Sequence, residues 1–197
     1  MALPRASETE RTVHLRKIVE SAENVVEWPR LTDEDLLLFA RIIHMYSSID
    51  FLLRMTVEVM DQNGLVASEW RGRTAKISNM YELNRAICSG QFWNEGHRSA
   101  FAAIEEHRRA RNLVAHFIAR RFPNENAFIF MTKSASDFKQ VYGVHPSDGT
   151  MLYGVTDAEQ LAGLIPVLKG ILSWLSRLPK DLSTPVVLGA GDTSQKT

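Results

Sequence analysis

TDEDLLLFARIIHMYSSIDFLLRMTVEVMDQNG, residues 32–64, is the stretch on which the fold turns. Thr32 has the chemistry of a helix N-cap, and Asp33, Glu34 and Asp35 follow it where the positive end of the helix dipole favours acids. Asn63-Gly64 is a stop signal. Between these ends the spacing predicts one helix over residues 33–61. Leu36, Phe39, Ala40, Ile43, Tyr46, Leu53, Met55, Val57 and Met60 place apolar groups nearly all round it, interrupted by Ser47 and Asp50. A helix that apolar is packed on more than one side, either inside a bundle or against a second copy.

Upstream, residues 8–27 read as a polar helix in which Val13, Ile18, Val19, Ala22, Val25 and Val26 return to one side. Trp28-Pro29 ends it, because a residue that precedes proline is pushed out of the helical region. Downstream, a third helix is expected over 73–87, stopped by Ser89-Gly90, and a fourth from Asn94 to about Arg121, closed by Pro123 and Asn124. The rhythm then turns extended. AFIFMT (127–132), FKQVY (138–142) and MLYGV (151–155) are short aromatic and β-branched runs separated by turn-forming segments at 134–137 and 146–149. Thr156-Asp157-Ala158-Glu159 has the capping-box form, so a last helix is expected from there to about Leu178, bent near Pro166.

The expectation is a mainly α protein: a helical bundle with a small antiparallel β-meander before the C-terminal helix. Residues 1–30 read as an N-terminal helical extension, 31–178 as the main domain and 179–197 as a disordered tail.

Composition limits the partners. The chain has 197 residues, 45% hydrophobic, and its 23 Lys and Arg balance 23 Asp and Glu to a net charge of +0. Bulk-charge binding of nucleic acid, as in a histone, is thereby disfavoured. Cys88 is the single cysteine, which excludes an internal disulfide and a Cys-based zinc site and suits a reducing compartment. The opening residues, Met1 to His14, lack an apolar signal core, and the longest apolar run, Leu36 to Ala40, is short of the ~20 residues of a membrane span. A cytoplasmic protein without a membrane partner is expected.

The fourth expected helix carries an uneven charge. Arg98, Arg108, Arg109, Arg111, Arg120 and Arg121 face only Glu105 and Glu106 between residues 98 and 121. On a helix Arg108, Asn112 and His116 follow at i, i+4, whereas Arg111 is offset by one position. Five residues place Arg111 and His116 about 140° apart on an ideal helix, so a kink or a partner chain is expected to bring them together. His44 and Asp50 are positioned to face this helix, although a helix-packing polar spot is the plainer reading. His97, His107 and His145 show no metal-ligand spacing, and P-loop, Rossmann and serine-hydrolase motifs are absent. No metal or cofactor is expected.

Arg111-Asn112-Leu113-Val114-Ala115-His116 resembles the R-x-x-x-x-H motif of the HEPN domains, helical-bundle proteins in which a polar residue, often asparagine, follows the arginine. The layout around it is similar over residues 31–178. The resemblance implies a metal-independent endoribonuclease of the toxin or defence type, with the arginine–histidine pairs of two protomers meeting in a cleft at a homodimer interface. Carried onto this chain, it nominates Arg111 and His116 as catalytic and Asn112 as their polar support. Arg108, Arg109, Arg120 and Arg121 are expected to steer RNA, or else to form a solvated face paired with Glu105 and Glu106. The expected partners are RNA in single-stranded loops, such as those of tRNA or mRNA, a second copy of the chain and an antitoxin protein. The alternative is a non-catalytic dimer of the same fold that binds RNA, a nucleotide or a protein.

Overall fold

A computed structural model describes residues 9–78, 80–90, 93–143, 146 and 152–183. Among these the protein is mainly helical, with one small antiparallel sheet. The elements are α1 (Glu10–Ser21), α2 (Asp33–Gln62), α3 (Met80–Cys88), α4 (Glu95–His116), β1 (Ile118–Arg121), β2 (Ala127–Thr132), α5 (Ala135–Tyr142), β3 (Leu152–Asp157), α6 (Ala158–Ala162), α7 (Leu164–Leu175) and α8 (Leu178–Ser183).

The long helix forms as its ends dictate. The Thr32 hydroxyl accepts from the Asp35 N–H at 3.2 Å, and the Thr32 N–H donates to Asp35 Oδ2 at 2.8 Å, a reciprocal capping box. At the other end Asn63 caps the helix and Gly64 takes a positive φ of 67°, a conformation open to glycine without strain. Phe39, Ile42, Tyr46, Ile49, Leu53, Val57 and Met60 are buried along it, at the spacing of one broad face. α2 is the central helix, in contact with α3, α4, α7 and α8. It and the segment Ala158–Leu182 are long and apolar enough to cross a membrane by length and composition; in the fold α2 packs along α7 and α8, with 28% of the apolar stretch of α2 and 22% of that of Ala158–Leu182 buried.

The sheet has strand order β1-β2-β3, with Ile118 opposite Met131 and Met131 opposite Tyr153. β2 is buried on both faces, which explains its unbroken apolar run. Phe128 and Phe130 turn toward α2, where their rings lie 5.3 and 5.6 Å from that of Phe39. Ala127, Ile129 and Met131 turn the other way, into a second core closed by Leu15 and Val19 of α1. The N-terminal helix is therefore a lid on the sheet as much as an extension. Arg11 fastens it by ion pairs to Glu125 at 2.7 Å and Asp157 at 3.1 Å.

Several expectations change. The first helix stops at Ser21, and a separate 3-10 turn holds Val25–Glu27. The third helix begins only at Met80, after 3-10 turns at Ser68–Trp70 and Thr74–Lys76. The fourth ends at His116: residues 118–121 leave it to pair with β2, since a strand beside the apolar β2 satisfies their backbone groups. Residues 138–142 are helical, not extended. Ser134 accepts from the Asp137 N–H at 3.2 Å as an N-cap, and Phe138 and Val141 then share the buried face of α5. The last helix is capped by Asp157, with Thr156 still in β3, and it breaks at Gly163, while Pro166 fits within the first turn of α7. Residues 179–183, assigned to the tail, are helical as part of α8, and Leu178 at its start is buried. The remainder of the tail, 184–197, and most of the 146–149 turn lie outside the described residues, as does His145.

Candidate functional site

His116 is the last residue of α4, and its ring is exposed. Phe117 is the C-cap, already extended at φ −102° and ψ 146°, and is buried. The chain therefore turns sharply after the histidine and leaves it on an open shoulder between helix and sheet. Arg111, one and a half turns earlier, reaches it along the helix: Arg111 Nη1 lies 3.4 Å from His116 Nε2. The same Nη1 donates to Asn112 Oδ1 at 3.1 Å. One chain alone thus brings together the arginine, the asparagine and the histidine of the motif. The angular gap is closed within one continuous helix, by the reach of the arginine side chain.

This contact also bears on the ring. A guanidinium can only donate, so the contact is compatible with the tautomer in which Nε2 accepts and Nδ1 carries the proton. The 3.4 Å separation is long for a hydrogen bond, which leaves Nε2 available to a closer donor such as a hydroxyl.

Behind Arg111 stands Asp50 of α2. Arg108 Nη2 reaches Asp50 Oδ1 at 3.4 Å, and Arg108 Nη1 donates to Glu105 Oε2 at 2.6 Å. Burial pushes the Asp50 carboxyl above its ordinary value, and the nearby Arg108, Arg111 and Arg54 offset this only partly. Tyr46, one turn before Asp50, is fully buried, and its hydroxyl has no hydrogen-bond partner among the described residues. His44, in contrast, is exposed on α2.

The basic residues nominated beside the motif part company. Arg109 is exposed on α4. Arg108 is mostly buried in its two ion pairs, and this is the helix-face reading with Asp50 added. Arg121 is drawn away altogether: its guanidinium binds Asp35 in a two-pronged pair, Nε to Oδ2 at 2.7 Å and Nη2 to Oδ1 at 2.8 Å, and lies over the Phe128 ring at 5.3 Å. Arg120 donates from Nε to the Val26 carbonyl at 3.1 Å and faces the same open shoulder as His116.

Sequence reasoning missed Lys133, Ile118 and Val26, which lie beside His116 at the end of β2, in β1 and in the turn after α1. No local pattern marks them; they meet only because β1 pairs with β2. Among the described residues no group of three His, Cys, Asp or Glu side chains is placed to hold a metal ion. No protein-family model matches this chain, and no curated protein or solved structure matches it either.

Proposed function

We propose that the protein is a metal-independent endoribonuclease of the HEPN type, acting as a homodimer in which two Arg111–His116 pairs share one RNA strand. The observation that carries this reading is the approach of Arg111 Nη1 to His116 Nε2 at an exposed helix end, with Asn112 holding the guanidinium. Internal RNA cleavage needs a base for the ribose 2′-OH, charge stabilisation for the phosphorane-like transition state and a proton for the leaving 5′-oxygen. A neutral imidazole with Nε2 unprotonated is a competent base near neutral pH, and a guanidinium holds two phosphate oxygens at once. One His116 cannot be base and acid in the same turnover. A second copy supplies the other, which gives dimerisation a chemical reason.

The products are a 2′,3′-cyclic phosphate and a 5′-hydroxyl, formed without Mg²⁺. The test is incubation of the full chain with tRNA and mRNA in EDTA beside His116→Ala. Cyclic-phosphate ends from the native protein, and a rate lower by about 10²- to 10⁴-fold in the variant, are expected. Equal cleavage by both, or by neither over a broad RNA set, overturns the proposal.

A second reading, a non-catalytic dimer of the same fold whose ligand is a nucleotide or a protein partner, draws on the ion pairs that occupy Arg108 and Arg121 and withdraw them from RNA. It predicts binding by His116→Ala and by the native protein alike, with no cyclic phosphate from either.

A further inference from the structure

A groove of about 360 Å³ opens directly beside His116, at the small end of the range of about 300–1,000 Å³ typical of ligand sites. Its making is a consequence of the sheet. Ile118 and Arg120 alternate onto one face of β1, and Met131 of β2 stands opposite Ile118, on the face that α1 covers further along the sheet. β1 is an edge strand, and α1 packs against β3 at the opposite edge, so the cover ends before it reaches Ile118. Ile118 consequently keeps 62% of its surface exposed and Val26, across the groove, 46%.

The rim has the opposite character. His116, Arg120 and Lys133 supply it, and among the described residues none that lines the groove is acidic. An apolar floor with three basic groups and the neutral Thr132 around it complements a base together with its phosphate: the ring buries the aliphatic surface and the cations take the charge. A peptide strand added to the β1 edge would use the apolar floor and leave the cations without a purpose.

We propose that this groove is a nucleotide subsite that seats one unstacked base of single-stranded RNA on Ile118 and Val26, with Lys133 and Arg120 on its phosphate. The assignment rests on the ribonuclease reading only for its relation to the cut: the seated nucleotide adjoins the phosphate that His116 attends. Cleavage then requires a base that can leave its stack, which selects loops over duplex.

Binding is measured separately from cleavage, by fluorescence anisotropy of the full chain with a labelled ten-nucleotide 2′-O-methyl RNA, which offers no 2′-OH to attack. Ile118→Ser and Lys133→Gln alter exposed side chains, and Val167→Ser, an exposed apolar residue of α7, is the control. The expected result is about tenfold weaker binding for Ile118→Ser, a similar or smaller loss with a shallower salt dependence for Lys133→Gln, and native affinity for Val167→Ser. Native affinity in both groove variants overturns the subsite, even if the protein cleaves RNA. Groove-dependent binding without any cleavage supports the subsite and sinks the ribonuclease reading instead. Absence of RNA binding, or displacement of RNA by none but peptide ligands, also overturns it.

Discussion

α2 carries two aspartates that each meet an arginine from beyond the helix, and the two meetings are of opposite kinds. At the helix start Asp35 is buried and almost fully satisfied: it caps Thr32 and receives both prongs of Arg121. Burial alone would raise its carboxyl, but the Arg121 and Thr32 hydrogen bonds outweigh burial and hold it below the ordinary carboxylate range. Four turns on, Asp50 is half-buried among Arg108, Arg111 and Arg54, with one long contact to Arg108, and its carboxyl is raised. Next to it the Arg108 Nε and the Tyr46 hydroxyl are buried without hydrogen-bond partners among the described residues. A carboxylate matched on both oxygens holds the fold together; a loosely matched one leaves charge available to its surroundings, and this one lies beside the Arg111–His116 pair.

The largest expected effect of a substitution on stability is at the first of these. Arg121→Ala leaves the buried Asp35 charge uncompensated and should cost about 3 kcal/mol in urea unfolding. A loss below about 1 kcal/mol would mean that the pair contributes little and that the contrast with Asp50 is illusory. The same variant has a pH signature. Because the folded Asp35 carboxyl is lowered, its contribution is present above the unfolded value of about 3.9 and is lost as pH falls through the folded value. Native protein and Arg121→Ala should therefore converge in stability below about pH 4.

Asp50→Asn should change stability by less than about 1 kcal/mol at neutral pH, since Arg108 keeps its 2.6 Å pair with Glu105. Its pH trend has the reverse sign. A raised folded carboxyl favours the protonated state, so native stability falls relative to Asp50→Asn as pH rises through that value, as a series of unfolding curves would measure. Parallel curves for the two proteins would remove the distinction. Smallest of all is Arg109→Gln, an exposed change on α4 that should stay within about 0.5 kcal/mol of native stability by the same assay.

The helix ends and the motif were legible because they are written locally. Thr32 with Asp35 marks the start of α2, Asn94 that of α4, and the aromatic and β-branched run at residues 127–132 marks β2. Arg111, Asn112 and His116 were legible as a group for the same reason, being within six residues of one another on one helix. Where local signals compete, composition misleads. FKQVY has the residue types of a strand, yet the Ser134 cap and the single apolar face of Phe138 and Val141 make it helical. IARR continues the basic rhythm of α4, yet it becomes β1.

The latter case marks the boundary between what the chain states and what folding adds. Caps, stops and helix-face spacing act across at most four residues, so the sequence by itself determined the long central helix and the mainly helical class, whereas the contact of Arg111 with His116, five residues on, is seen only in the structure. Only the tertiary structure decided which arginines remain free. Arg121 is captured by Asp35, 86 residues away, and Arg108 by Asp50, 58 residues away, whereas the pairing of β1 with β2 gathers Arg120 and Lys133 beside His116. Charge counted along the chain cannot foresee this, because an ion pair depends on distance in space, and that distance is set by which apolar faces close the core.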